Sequence, residues 1–183
     1  MKKQGERILL SGGLLQLTIN RLCQQLLEAH NDFEDSVLIG LQPRGTFLAD
    51  KMYARLKELL PGNSIRYGTL DISFYRDDFR RREDPIEISE TRLDFEIENR
   101  RVILIDDVLF TGRSVRSAMD ALMDYGRPKD VEFLVLIDRR FSRQLPIQAN
   151  YVGRTVDAVV SERVEVNLEG EGRVLLNSIE DES

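Results

Sequence analysis

Two adjacent carboxylates, Asp106 and Asp107, stand directly after four aliphatic residues, Val102, Ile103, Leu104 and Ile105. Val108, Leu109 and Phe110 follow, then a polar turn of Thr111, Gly112, Arg113 and Ser114. Apolar residues resume at helical spacing at Val115, Met119, Leu122 and Met123. The pattern is a buried strand, a pair of acids, a short loop and a helix start, which suits a sugar phosphate. The acids can accept hydrogen bonds from ribose hydroxyls, and the loop amides and the positive end of a helix face a phosphate. Gly112 permits close backbone approach, and the Thr111 and Ser114 hydroxyls add donors. A Thr-Gly turn alone is more often a plain helix cap. Charge at the mouth of a hydrophobic strand shifts the balance, because it demands solvent, a partner or a ligand. Open α/β sheets bind their ligands at that end of their strands.

The elements that must hold this motif are legible around it. Leu14, Leu15, Leu17, Leu22, Leu26 and Leu27 predict an amphipathic helix over 14–29. Residues 36–41 read as a buried strand, 46–60 as a helix closed by Pro61 and Gly62, and 64–75 as strand-like. The next strand is expected at 101–105, with its helix at 114–125, stopped by Gly126, Arg127 and Pro128. Residues 131–137 read as another buried strand, and 151–156, 163–168 and 173–179 as shorter ones. Strands alternating with helices predict an α/β fold with a mainly parallel central sheet flanked by helices. Arg44 and Gly45 close the strand before the second helix, in a turn constrained by Pro43. The stretch 76–92 is densely charged and broken by Pro85, and on composition it is a solvated loop. The tail of Glu180, Asp181, Glu182 and Ser183 is expected to fray.

Composition narrows the function classes. The 183 residues are 42% hydrophobic and read as one domain over 1–183. The absence of an apolar run long enough to span a bilayer, and of a signal-peptide core, predicts a cytoplasmic protein. Cys23 is the sole cysteine and reads as packing. A formal charge of −6 argues against indiscriminate nucleic-acid binding. His30 is the sole histidine and is expected on the solvated surface, so any activity must run without a histidine base.

The acid pair with its Thr-Gly turn resembles the phosphoribosyl pyrophosphate (PRPP) signature of type I phosphoribosyltransferases, and within them the PyrR family of pyrimidine operon regulators and uracil phosphoribosyltransferases. Three more segments carry the resemblance: Leu38 to Gly45, Leu70 to Asp78, and Leu136 to Arg139 with Leu145, Pro146, Ile147, Tyr151, Val152 and Gly153. The resemblance implies the type I phosphoribosyltransferase fold, with a mobile loop or hairpin over the site. It implies conversion of uracil and PRPP to UMP and pyrophosphate. Asp106 and Asp107 would be catalytic, and Val108, Leu109, Phe110, Thr111, Gly112, Arg113 and Ser114 would bind PRPP and its 5′-phosphate. Arg44, Gly45 and Arg76 would hold pyrophosphate, with a smaller share for Arg80, Arg81 and Arg82. Ile137, Arg139 and Val156 would form the base side, with Val156 equally able to fill core. Mg²⁺ is the implied cofactor, bound through PRPP and waters near the two acids rather than by a dedicated ligand set.

The family pattern Asp-Arg-Gly-His-Arg is replaced here by Asp138, Arg139, Arg140, Phe141, Ser142 and Arg143, one residue longer. Relatives of this kind also bind the messenger leader of pyrimidine genes when UMP is bound. Here Asn20 and Gln24 stand where RNA-binding members carry Thr and His, although Arg139, Arg140, Arg143 and Arg154 offer a basic concave face. Two alternatives therefore stay open: a nucleotide-sensing RNA attenuator with little enzymatic activity, and a phosphoribosyltransferase for another base. The implied assembly is a homodimer or a higher even-numbered oligomer.

Overall fold

The structure is a computed structural model that describes residues 6–76, 89–159 and 161–178. Five parallel strands form the central sheet: β2 (Ser36–Leu41), β3 (Arg66–Leu70), β4 (Arg101–Leu109), β5 (Asp130–Arg140) and β6 (Tyr151–Asp157). Their spatial order is β3-β2-β4-β5-β6. The helices are α1 (Gly12–His30), α2 (Gly45–Leu59) and α3 (Arg113–Leu122). The expected α/β architecture is therefore present.

Strand alternation explains the two-sided burial. Leu38, Ile103, Ile105, Leu134 and Leu136 join the side chains of α1 and α2 in one apolar cluster. Val37, Ile39, Val102, Leu104 and Val135 join α3 in a second cluster on the opposite face. Each fully buried aliphatic of this kind contributes about 1.5–3 kcal/mol. Near-continuous apolar runs are what a parallel sheet covered on both faces requires.

Several element bounds differ from the sequence reading, and β5 runs on to Arg140. β4 does not stop at Ile105. It continues through both acids to Leu109, because β5 is long enough to pair Asp106 with Val135, Val108 with Ile137 and Leu109 with Asp138. The strand-like stretch 64–75 shrinks to Arg66–Leu70, because the Asp71 carboxylate accepts from Ser73 N at 2.9 Å and from Ser89 N at 3.0 Å and folds the chain into a turn. Helix α3 ends early, where Asp124 N and Tyr125 N tighten onto Ala121 O and Leu122 O.

A second, antiparallel sheet was not foreseen. It orders β1 (Arg7–Ser11), β8 (Arg173–Ser178) and β7 (Glu162–Asn167) as β1-β8-β7. Only long-range pairing with β8 makes β1 a strand, since its five residues carry no alternation of their own. Arg154 donates to Leu9 O, and Arg139 donates to Val159 O and Glu162 O at 3.1 and 2.9 Å, tying this sheet to β6 and β5.

His30 corrects another expectation. It is 5% exposed, not solvated. Its Nδ1 lies 2.8 Å from Ser36 Oγ and its Nε2 3.1 Å from Glu132 Oε2. Tyr151 OH donates to the same Glu132 oxygen at 2.6 Å, and Arg101 Nη2 to the other at 2.5 Å. Glu132 and Ser36 lie at the starts of their strands, so this cluster sits at the edge of the sheet away from the acid pair. Cys23 is buried in the first apolar cluster, as expected.

Candidate functional site

The parallel strands deliver the chemistry to one edge. β2, β4 and β5 all end there, at Leu41, Leu109 and Arg140. Between β2 and α2 the turn of Gln42, Pro43 and Arg44 brings the Arg44 Nε to 3.9 Å from Asp107 Oδ2. Gly45 is required at this crossing: a Cβ there would lie 2.9 Å from Asp106 Cα. The start of α2 therefore rests directly on the acid pair.

Asp107 is 6% exposed, and Asp106 is half-buried with its Oδ1 accepting from Asp107 N at 2.9 Å. Burial pushes the Asp106 carboxyl well above the usual range and the neighbouring Asp107 charge adds to it, with Arg44 opposing. Burial also raises Asp107, against the pull of Arg44. Two crowded carboxylates of this sort gain from a cation or from hydroxyl donors.

The loop to α3 is short, 110–112. Gly112 has φ 93°, a left-handed conformation that a side chain would strain. Residues 108–115, with Asp106, Arg76, Ser117 and Phe133, line a cavity of about 620 Å³. The N-terminus of α3 opens into it, where backbone N–H groups without helical partners favour an anion. A second cavity of about 520 Å³ adjoins it, lined by Arg44, Asp106, Asp107, Val108, Phe110 and Arg139 among others. Arg76 borders both cavities.

The structure thus brings together Asp106, Asp107, Arg44, Gly45, Arg76 and the 108–114 segment. The base-side residues divide. Arg139 is strand, not loop, and 5% exposed, with its guanidinium 4.0 Å from the Phe110 ring centroid. Burial lowers its pKa, and the two carbonyl acceptors and the ring offset the cost of enclosing it. Ile137 is wholly buried and Val156 is 4% exposed, and both side chains belong to the first apolar cluster rather than to either cavity lining. Tyr151 is at the far edge, bonded to Glu132. Arg80, Arg81, Arg82 and the acids around them lie outside the described residues, as do the expected mobile loop and the tail from 179 onward.

The four arginines expected as a basic face are engaged within the chain. Arg140 Nε pairs with Asp157 at 2.6 Å, Arg143 with Asp138 and Phe110 O, Arg154 with Leu9 O, and Arg139 with the carbonyls above. Sequence reasoning missed Glu162, Arg163 and Val164, which line the second cavity. No local signal marks them, because the small sheet brings β7 over the acids from more than 50 residues downstream. No group of three or more His, Cys, Asp or Glu residues able to hold a metal ion occurs among the described residues. No helix among them is long and apolar enough to cross a membrane.

Comparison with known proteins agrees with this geometry. The family profile described as the phosphoribosyl transferase domain matches residues 8–168. The bifunctional protein PyrR of Caldicellulosiruptor saccharolyticus is 41% identical over 165 residues, spanning 88% of this chain and 90% of that protein. The bifunctional protein PyrR of Listeria welshimeri serovar 6b is 36% identical over 184 residues, spanning 97% of this chain and all of that protein. Among solved structures, the hypoxanthine phosphoribosyltransferase of Trypanosoma cruzi superposes with a TM-score of 0.71 at 15% identity, covering 95% of this chain and 97% of that one. A hypoxanthine phosphoribosyltransferase from Staphylococcus aureus gives 0.65 at 22% identity, covering 86% and 84%. At those identities the structural likeness speaks for the fold.

Proposed function

The chain belongs to the PyrR family of the phosphoribosyl transferase domain, and from that premise we propose that it transfers the 5-phosphoribosyl group of PRPP to uracil, releasing UMP and pyrophosphate. The observation that carries the reading is the adjacent Asp106–Asp107 pair, faced by Arg44 and opening onto the two cavities beside the 108–115 segment. The loop 110–114 and the start of α3 receive the 5′-phosphate. Asp106 and Asp107 accept the ribose hydroxyls, so the sugar is held before its C1–O bond breaks. Arg44, Gly45 and Arg76 hold the pyrophosphate. Positive charge grows on the ring as that bond lengthens, uracil N1 bonds to C1 as the C1–O bond to pyrophosphate breaks, and the N1 proton passes to the pyrophosphate or solvent. The work asked of the protein is positioning and leaving-group stabilisation, not nucleophilic attack.

The all-oxygen pair Asp106 and Asp107 fits Mg²⁺, which favours oxygen ligands and keeps several waters. The ion would be held through PRPP oxygens and waters beside the two carboxylates, and when bound would neutralise charge on the pyrophosphate. Base selection falls to the second cavity, where Arg139 and Phe110 meet the β7 residues. The assay is pyrophosphate release from PRPP and Mg²⁺ with uracil, hypoxanthine, guanine and orotate in parallel. Uracil-selective release supports the reading. Turnover with a purine or with orotate instead moves it to another base. Absence of turnover with clear UMP binding moves it to a sensor.

The relatives carry the word bifunctional in their names, which supports a second role as a UMP-responsive RNA-binding regulator of pyrimidine genes. On α1, Gln24 is exposed, while Asn20 accepts from Gln16 Nε2 at 3.4 Å. A gel shift with the gene's own leader, with and without UMP, tests this role. The reading includes a homodimer or higher even assembly, measured by light scattering.

A further inference from the structure

Two carbonyl oxygens of the phosphate loop, those of Phe110 and Thr111, are gripped from one side. Arg143 Nη1 donates to Phe110 O. Gln144 N and Leu145 N both donate to Thr111 O, at 3.0 and 3.2 Å. Arg113 Nε reaches Gln144 Oε1 at 2.8 Å, which closes the contact from the helix side. None of Arg143, Gln144 and Leu145 lines the 620 Å³ cavity. They form a brace behind the loop.

That brace has a directional consequence. A trans peptide plane points its C=O and the following N–H opposite ways. Holding the Phe110 and Thr111 carbonyls against residues 143–145, none of which lines the cavity, turns the Thr111 and Gly112 amides away from the brace. Arg143 is the member that reaches furthest. Its other arm, Nη2, pairs with Asp138 on β5, and its side chain is only 24% exposed. Asp138 adjoins Arg139, whose guanidinium covers the Phe110 ring. Phe110 is thus held by its ring and by its carbonyl, from two arginines on one short segment.

We infer that Arg143 is a positioning residue for the 5′-phosphate: anchored on Asp138, it fixes the Phe110 carbonyl and thereby aims the loop amides, without touching the ligand itself. The inference rests on the reading above, in which the loop 110–114 receives that phosphate. It also gives a role to the segment where this chain departs from the family pattern, since the longer connection after Arg139 still returns an arginine to the loop.

The test compares two ligands that differ only in the phosphate. UMP and uridine are titrated calorimetrically into the full-length wild type, Arg143→Ala and Arg143→Lys, with steady-state KM for PRPP and for uracil measured alongside. Losing a hydrogen bond that organises a charged contact is expected to weaken UMP about tenfold or more, with uridine unchanged. The KM for PRPP rises while that for uracil stays. Arg143→Lys keeps the charge beside Asp138 but not the two-armed reach, so it retains an intermediate UMP preference; it carries the comparison if Arg143→Ala folds poorly. Equal weakening of UMP and uridine, or unchanged UMP affinity, overturns the positioning role. A wild type that binds UMP no better than uridine instead overturns the phosphate-loop reading, and the role of Arg143 falls with it.

Discussion

Replacing Asp107 with Asn sets function against stability. Asp107 is enclosed, with Arg44 Nε 3.9 Å from its Oδ2. Burial lifts its carboxyl above the ordinary value and Arg44 only partly opposes that. A carboxylate raised by folding stabilises the fold fully below its unfolded pKa of about 4, and that contribution is lost as pH rises through the folded value. At neutral pH the charged side chain is therefore a cost to the unliganded protein, and Asn, of the same shape, removes it. The melting temperature of Asp107→Asn should hold or rise at pH 7. Activity should fall. Each ribose hydroxyl bonded to a charged oxygen is worth about 1.5–3 kcal/mol. Two such bonds lost or weakened amount to about 3–6 kcal/mol, or roughly 10²–10⁴ in kcat/KM. Pyrophosphate release from PRPP with uracil measures the first quantity and thermal melting the second. A kcat/KM within about threefold of wild type refutes the catalytic assignment. A large fall in melting temperature refutes the argument that the charge strains the fold.

Gly112→Ala places a Cβ at φ 93°, 3.3 Å from Ile147 Cδ1. The strain of about 1–2 kcal/mol should lower the melting temperature and weaken UMP together, and an unchanged UMP affinity counts against the loop geometry. Burial holds His30 below its usual value, with Glu132 opposing most. The fold is therefore most stable with His30 neutral, above about pH 6.5, and loses stability as pH falls through the lowered folded value. Denaturant melts from pH 8 to 5 should show that decline, and His30→Gln should flatten it; an equal slope in the variant is the contrary result. Burial pushes the Cys23 thiol up to about 12. A disulfide exchange reagent should therefore label it only at the unfolding rate, and rapid labelling of the native protein would show an accessible thiolate.

Much of the site was readable from local pattern. The step from Val102–Ile105 aliphatics to two acids, and then to Thr111 and Gly112, marks a strand end and a loop without any structure, because those residue types leave few other ways to satisfy charge and backbone. The exact strand length was not readable. Whether Asp106 and Asp107 are the last strand residues or the first loop residues depends on β5, which supplies the ladder as far as Asp138. The burial of His30 is not legible in the sequence for a related reason. Its neighbours Asn31 and Asp32 look like a solvated turn, while the partners that enclose it, Glu132 and Tyr151, are 102 and 121 residues away.

The sequence by itself determined the α/β alternation, the acid pair, the glycine at the loop and the arginine turn after β2, because each depends on propensity or on contacts a few residues apart. The tertiary structure alone decided that β1 pairs with β8, that β7 covers the acids, that Arg139 is a buried strut rather than a free cation, and that Arg143 donates to the Phe110 carbonyl. These depend on pairings between distant segments, whose free energy comes from surfaces that meet only once the sheet has formed, and no window of sequence contains both partners.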